Sequence, residues 1–471
     1  MSTQGKIKTK DTQYVTMLIG AILIVLAFAA PGIGSMTKEM IRTICLIVFG
    51  ILFWVKRPIP ILATSLLVVV LQPLAKLAAL NAAFAGFTSP AHYFVIASFA
   101  IALALQKTTL CSNLIKSLLS LAKGKIRVIT LMFMLMTFIV SMFISDIAAV
   151  LITLAFVLDF ATLINDETEK RRVLKLLMVA VPFASILGGA STTVGSTVNV
   201  LALNLMKQHS GLEVTFIQWF AVSFPVTIVS LFACWGLFVK IHKADNIQID
   251  LVQQYVSKLE INAKESKTRK EPIILAVLAV IVLAWIFSSW ISILDSTIVA
   301  IIGMALLFLP GVSAYTWEEF KQNMSWEIPI MGAATISLGN LAINHGIIEQ
   351  IIGYTTRTFS GVGLAGIIGI LGLLVTILLV AVPVGPAMVS MLAIPAYIMA
   401  ETLGFNPVIA VVVVGIFASN STILPLNSTY LVSYTKGHWK IKDLLPVGIV
   451  VSIVWIALAA LWMPIASRLV F

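Results

Sequence analysis

Residues 185–199 read SILGGASTTVGSTVN. Three glycines, three serines, three threonines and an asparagine fall together here, in a chain of 471 residues that is 60% apolar and only 11% charged. A soluble domain carries about 25% charged residues. On either side the apolar sequence comes in runs of about 17–25 residues, the length that crosses a bilayer as a helix. Within hydrocarbon every backbone N–H and C=O needs an internal partner, so spans of this kind are helical, and irregular backbone survives only where protein or a cavity surrounds it. Glycines and hydroxyl side chains allow a helix to stop and restart in such a place. The stretch reads as an interruption of a buried helix, serving either close helix packing or a site.

The same runs recur along the chain. They predict spans near 14–31, 41–55, 58–76, 93–113, 177–206, 214–239, 273–289, 294–310, 328–346, 406–434 and 445–467, with hairpins at 128–163 and 361–401. The fold class is an all-α polytopic membrane protein of about 11 transmembrane helices plus two re-entrant hairpins. A transmembrane β-barrel is excluded, because the alternating ten-residue pattern it needs is absent. The net charge of +11 sits between the spans and reads as a determinant of orientation, not as a nucleic-acid surface. With the N-terminus inside, 24 of the 31 Lys and Arg residues fall on the inner side and six on the outer, which supports that orientation. The first span follows Lys6, Lys8 and Lys10 and contains AFAA, a faint cleavage-like sequence; a retained first helix is expected in a polytopic chain. Cys45, Cys111 and Cys234 lie in apolar runs without metal-ligand spacing and read as small hydrophobes.

One long polar segment, 240–271, carries Ile247, Leu251, Tyr255 and Leu259 at four-residue spacing. It predicts an amphipathic helix lying on the membrane or on a neighbouring part of the protein. The segment also divides the chain into halves that resemble each other. FASILGGASTTVGSTVNVLAL from Phe183 and FASNSTILPLNSTYLVSY from Phe417 both begin Phe-Ala-Ser and pass through a hydroxyl-rich breaker. Each follows a hairpin with a breaker at its middle, FISDIAAVLI at 143–152 and VPVGPAMVS at 382–390. The hairpins open to opposite sides, so the repeats are inverted. Inverted repeats with interrupted helices are how secondary transporters build a site near the midplane. Unwound carbonyls serve cations there, and half-helix N-termini serve anions. Small residues also let helices pack closely, but two matched polar patches, each beside a broken hairpin, point to a site.

These motifs resemble the divalent anion:sodium symporter family, within the wider group that includes arsenite permeases and sodium/proton antiporters. GGASTTVGSTVN is similar to that family's Gly-Gly-x-x-Thr-x-x-Gly-Thr-x-x-Asn motif. ASNSTILPLNSTY followed by KGHWKIKDLLPVG is similar to its second motif, and LFWVKRPIPILATSLL to its Trp-Pro segment. The resemblance implies a scaffold domain and a moving transport domain, elevator-type alternating access, a homodimer, and a dicarboxylate, citrate or sulfate substrate, usually driven by sodium. On this basis 1–92 and 272–327 are scaffold helices, 93–240 and 328–471 the two repeats, and 241–271 a cytoplasmic linker. The chain departs from the family at both hairpin tips. Ser145-Asp146-Ile147 and Val384-Gly385-Pro386 stand where the family has Ser-Asn-Thr, and residues around Ser428-Thr429-Tyr430 replace Thr-Pro-Pro-Asn.

The expected substrate-binding residues are Ser145, Thr193, Gly195, Ser196, Thr197, Asn199, Gly385, Ser421, Thr422, Ser428 and Thr429. The expected cation-binding residues are Ser145, Asp146, Gly189, Gly195 and Asn199. Asp146 is the one acid at a predicted tip; a carboxylate within the membrane is costly and usually functional, serving as sodium ligand, proton carrier or anion-repelling group. It is otherwise a hydrated vestibule residue. Asp159 and Asp295 read as snorkelling span-end residues, Lys107 lies in a span, and His345 with Glu349 reads as a surface pair. No nucleotide-cradling loop or enzyme motif is present, and no cofactor is expected beyond Na+ or H+ as coupling ion. The leading function is sodium- or proton-coupled secondary transport of a small divalent anion across a bacterial cytoplasmic membrane. Cation/proton antiport or arsenite-permease-like export, anion exchange without sodium, and a non-transporting membrane enzyme or receptor are the alternatives.

Overall fold

The computed structural model describes residues 3–122, 124–242, 251–266, 268–291, 293–324, 326–347, 350, 361–381, 385–420, 422–425 and 427–471. Among them there are helices and turns but no strand. The helices are α1 (Thr3–Ala29), α2 (Lys38–Lys56), α3 (Ile61–Leu74), α4 (Leu80–Ala83), α5 (Pro90–Gln106), α6 (Leu110–Ser120), α7 (Ile126–Ser141), α8 (Asp146–Ala161), α9 (Glu167–Ser191), α10 (Thr197–Ser210) and α11 (Phe216–Ile241). After the linker come α12 (Val252–Ser266), α13 (Glu271–Phe287), α14 (Ser296–Phe308), α15 (Trp317–Asn323), α16 (Glu327–Asn344), α17 (Leu364–Ala381), α18 (Gly385–Thr402), α19 (Pro407–Phe417), α20 (Ser428–Tyr434) and α21 (Ile441–Val470).

Among the described residues α9, α11 and α21 are long and apolar enough to cross a membrane unaided, while α3, α7, α13, α14 and α19 are shorter apolar helices. Short apolar helices suit hairpin arms and interrupted spans, whose missing length is supplied by a neighbour across a break. The predicted span 93–113 needs correction. Its helix stops at Gln106, and the chain turns by 62° into α6. Lys107 caps that stop and pairs with Glu319 of α15 at 2.7 Å, so it lies at a corner, not within a span. Cys111, Ile115 and Leu119, at four-residue spacing, are the buried face of α6.

The helices sort into two packed groups. In one, α2 packs on α1 and α3, α5 on α14 and α13, and α16 on α3 and α5. In the other, α9 packs against α7, α8 and α11, and α21 against α11 and α17. Each half of the chain buries one central helix. Every residue of α9 from Leu176 to Ser191 is buried, as is every residue of α19 from Val408 to Phe417. A helix apolar all round belongs in a core, which is where both lie. The halves also interlock. After its break the first repeat sends α10 onto α18 and α19, while the second sends α20 onto α8 and α9.

The linker helix α12 docks on α6. Tyr255 and Leu259 are buried in that contact, and the Tyr255 hydroxyl donates to the Phe156 carbonyl at 2.8 Å. Ile247 lies outside the described residues. The two acids expected to snorkel have partners: Asp159 pairs with Lys258 at 2.5 Å, and Asp295 caps α14 by accepting from the Thr297 N–H at 2.8 Å. His345 Nδ1 hydrogen bonds Thr43 Oγ1 at 2.6 Å; Glu349, its expected partner, lies outside the described residues.

Candidate functional site

The interruption at 192–196 is held open by side chains doing backbone work. Thr192 Oγ1 accepts the Gly195 N–H at 2.9 Å and donates to the Met142 carbonyl of the first hairpin tip at 2.5 Å. Asn199 Nδ2 spans the break, donating to the carbonyls of Gly189 at 2.9 Å and Thr192 at 2.8 Å. The Asn199 side-chain oxygen is buried and has no hydrogen-bond partner among the described residues. A buried polar atom left in this way is costly unless something completes it.

Asp146 faces that break. Its Oδ1 accepts from Ser141 Oγ at 2.9 Å, and its carbonyl accepts from Ser185 Oγ at 2.8 Å. Gly189 makes room for it: a Cβ built there would fall 1.9 Å from Asp146 Oδ1. A Cβ on Gly195 would fall 2.7 Å from the Ser141 carbonyl oxygen and 2.8 Å from that of Gly189. Asp146 Oδ1 and the carbonyl oxygens of Ser141 and Gly189 therefore crowd round the two glycines. Carboxylate and carbonyl oxygens are the ligand types that a hard cation takes.

Beside Asp146 lies a cavity of about 360 Å³ between the two packed groups. One wall belongs to Trp54, Arg57, Ile61, Phe99, Glu327, Ile328 and Met331. The other is made of helix starts: Ser145–Ile147 opens α8, Ser196–Val198 opens α10, Gly385 and Pro386 open α18, and Asn427 with Thr429 opens α20. Two starts come from each repeat. The first N–H groups of a helix lack intrahelical partners and carry the positive end of its dipole, so four such ends favour an anion between them. The two breaks meet where Ser196 Oγ and Ser419 Oγ hydrogen bond at 3.2 Å.

The expected residues divide. Ser145, Asp146, Ser196, Thr197, Gly385 and Thr429 line the cavity. Gly189, Gly195 and Asn199 do not line it; Gly189 lies against the Asp146 carboxylate, Gly195 against Gly189, and Asn199 bonds the Gly189 carbonyl. Thr422 is not among the residues that line the cavity. Its hydroxyl donates to Asn420 Oδ1 at 2.9 Å and bonds Ser452 at 2.7 Å, and its carbonyl lies against Gly448, where a Cβ would come within 2.0 Å. It pins the second break to α21. Thr193 faces away too, into a separate cavity of about 80 Å³ beside Lys207, Glu213 and Asp295. Ser421, Pro383 and Val384 lie outside the described residues, and of Ser428 only the backbone, opening α20, is described.

Sequence reading missed Ser419, Asn427, Arg57 and Glu327. Asn427 has a legible signal, an Asn directly before Ser-Thr-Tyr, and it caps α20 by accepting the Tyr430 N–H at 3.0 Å. Arg57 counts in the sequence only as one of the inner-face basic residues, and no motif draws attention to Glu327.

Cysteines placed at 196 and 419 test the juxtaposition of the two breaks. The double variant is expected to crosslink under mild oxidation without a change in migration on size exclusion, and neither single variant should do so. Free thiols in the double variant under those conditions would separate the breaks.

Helix ends from two interlocked repeats, gathered round one cavity, are the architecture of a secondary transporter. The chain belongs to the sodium:sulfate symporter family, whose transmembrane region matches residues 9–468. It is an integral membrane transporter and not an enzyme, and the resemblance to divalent anion:sodium symporters read from residues 183–199 holds. The sodium-dependent dicarboxylate transporter SdcS of Staphylococcus aureus strains RF122 / ET3-1 and USA300 is 24% identical over 356 residues, covering 72% of this chain and 68% of the relative. Among solved structures, Neisseria gonorrhoeae MtrF, described within a class of antimetabolite efflux pumps, matches at a TM-score of 0.52 and 15% identity, over 96% of this chain and 94% of that one. The Alcanivorax borkumensis YdaH transporter matches at a TM-score of 0.47 and 15% identity, over 81% and 86%.

Proposed function

We propose that this protein carries a small divalent anion, a dicarboxylate or sulfate, across the membrane with Na+, by elevator-type alternating access. The observation that carries the reading is the convergence of four helix starts, two from each repeat, on one cavity that Asp146 lines. Positive dipole ends and hydroxyls suit an anion, and the carboxylate with its neighbouring carbonyls suits a cation next to it. The names of the family and of the SdcS relatives agree with both halves of the pair. Asp146, Gly189, Gly195 and Asn199 would hold the Na+. Ser145, Ser196, Thr197, Thr429, Asn427 and the N–H groups beside them would hold the anion.

In this reading α7–α11 and α17–α21 move as one body against a frame of α1–α5 and α13–α16. The chain works as a homodimer with its N-terminus inside, as the 24-to-six split of basic residues supports. The mouth beside Arg57 then opens to the cytoplasm. Asp146 also favours one second reading, in which a carboxylate with no cationic partner among the described residues carries a proton in place of Na+.

Proteoliposomes test both. Sulfate and succinate uptake is expected to follow an inward Na+ gradient and to fail in choline medium. Uptake that follows a pH gradient and ignores Na+ would give the proton reading. No flux of any anion under either gradient would overturn the transport assignment.

A further inference from the structure

Arg57 is the single basic side chain among those lining the cavity, which also carries the acids Asp146 and Glu327. Arg57 and Glu327 line the adjoining mouth as well, a volume of about 320 Å³ walled by Pro58, Ile59, Pro60 and Ile61. The two charges share that opening, yet among the described residues neither is held in a salt bridge. The guanidinium is therefore not already spent on a protein partner.

Its backbone is unusual too. Arg57 caps α2 in the left-handed region, at φ 50° and ψ 49°, with its N–H bonded to the Phe53 carbonyl at 2.9 Å. Left-handed backbone is uncommon for a residue with a side chain, and such outliers gather at working sites. Pro58 follows directly and Pro60 soon after, which stiffens the corner that carries the guanidinium. The preceding Lys56 is exposed and does not line the cavity, so an inner-face charge for orientation is supplied without Arg57.

We propose that Arg57, with Glu327 opposing it, is the charge filter of this site: a fixed guanidinium that takes the anion at the mouth and selects divalent over monovalent ligands. The proposal rests on the reading that an anion occupies the cavity. A guanidinium presents a planar fork of donors that fits a carboxylate or sulfate with two parallel bonds. Lining charges alone leave the cavity with one excess negative charge. A cation at Asp146 cancels that excess, and the remaining Arg57–Glu327 couple then separates ligands by charge. Attraction to Arg57 and repulsion by Glu327 both double from a monoanion to a dianion, so the dianion is favoured because two parallel bonds hold it nearer the guanidinium than the Glu327 carboxylate.

Coulombic energy scales with ligand charge, so losing the guanidinium costs a dianion twice what it costs a monoanion; a rise of about 10-fold in the dissociation constant for one corresponds to about 3-fold for the other. The experiment compares full-length wild type, Arg57→Gln, Arg57→Lys, Glu327→Gln and Lys56→Gln. Each is checked by size exclusion and titrated in detergent with succinate and with its monovalent monoamide, succinamate, in saturating Na+, with thermal stabilisation as readout. Succinate uptake is measured in parallel.

Arg57→Gln is expected to weaken succinate about 10-fold and succinamate about 3-fold. Arg57→Lys should recover most of the loss, Glu327→Gln should tighten both ligands, and Lys56→Gln should match wild type. A merely structural Arg57 would weaken both ligands by one common factor, and that result overturns the proposal, as does unchanged succinate binding. If Arg57→Gln does not elute as folded protein, Arg57→Lys and Glu327→Gln decide: an unaltered succinate-to-succinamate ratio in both overturns it. Wild type that binds and carries neither ligand overturns this proposal, and it removes the transport reading too only if sulfate also shows no flux under either gradient. Wild-type uptake with an unaltered ratio in the variants removes the filter alone.

Discussion

Gly195→Val is expected to abolish anion uptake while leaving a folded, membrane-inserted protein. The hydrogen that valine would replace points at backbone on two sides: the Ser141 carbonyl oxygen at 2.7 Å, the Gly189 carbonyl oxygen at 2.8 Å and the Gly189 Cα at 2.9 Å from an added Cβ. None of these is the free end of a side chain, so the break at 192–196 must move away from the first hairpin tip. Displacement of about 1 Å in a positioned site can cost about 100-fold in rate, and a loss of that order is expected here. Gly189→Ala makes an informative companion. Its Cβ meets the Asp146 carboxylate, which can swing aside, so the fold should suffer less while the cation site is spoiled. Uptake by both variants, with elution and melting temperature compared against wild type, gives the answer. Normal transport by Gly195→Val would reduce these glycines to packing residues.

Asp146→Asn is the second large effect. The asparagine keeps the shape and can still accept from Ser141, but removes the charge that makes the cluster a cation site. The apparent Na+ constant for anion uptake is expected to rise at least about 10-fold, a change of about 1.4 kcal/mol in cation binding. Anion affinity at saturating Na+ should change much less. If the variant shows wild-type Na+ dependence, Asp146 is a hydrated tip residue and the coupling scheme fails. If Na+ was never required and the variant loses dependence on pH, the carboxylate carries a proton.

The parts of this molecule that could be read from sequence are those where residue type alone forces the backbone. Gly-Gly followed by Ser-Thr-Thr and a third glycine cannot continue a helix quietly, and the first break falls at 192–196, inside that run. Ser145 before Asp146 is an N-cap pattern, and α8 starts there. The buried stripe of α12 was visible as four-residue spacing, and so was that of α6, at Cys111, Ile115 and Leu119. The stripe of α6 went unread because the apolar run of α5 leads straight into it and hides the 62° turn.

Side-chain direction at irregular backbone was not legible. Thr193 and Thr422 sit beside breaks as Ser196 and Thr429 do, yet one faces a separate cavity and the other pins a helix. Their neighbours are set by the turn of a few non-helical residues, which no periodicity encodes. Arg57 and Glu327 were hidden for another reason. Charges at span ends usually record orientation, and only tertiary packing brings these two, 270 positions apart in the chain, to one opening.

The crossing of the two halves bears on how the protein is made. α10 leaves the ribosome with the first repeat, but the helices it rests on, α18 and α19, emerge only after some two hundred further residues. Until then a short, polar-capped half-helix waits in the bilayer without its partners. A nascent chain paused in between leaves Ser196 without Ser419 and α10 without the helices that cover it, a state that quality-control proteases and insertion chaperones are built to recognise. Completion of the second repeat closes the two breaks against each other in one late event. A truncated or split chain should therefore be lost as a whole, and not survive as half a transporter.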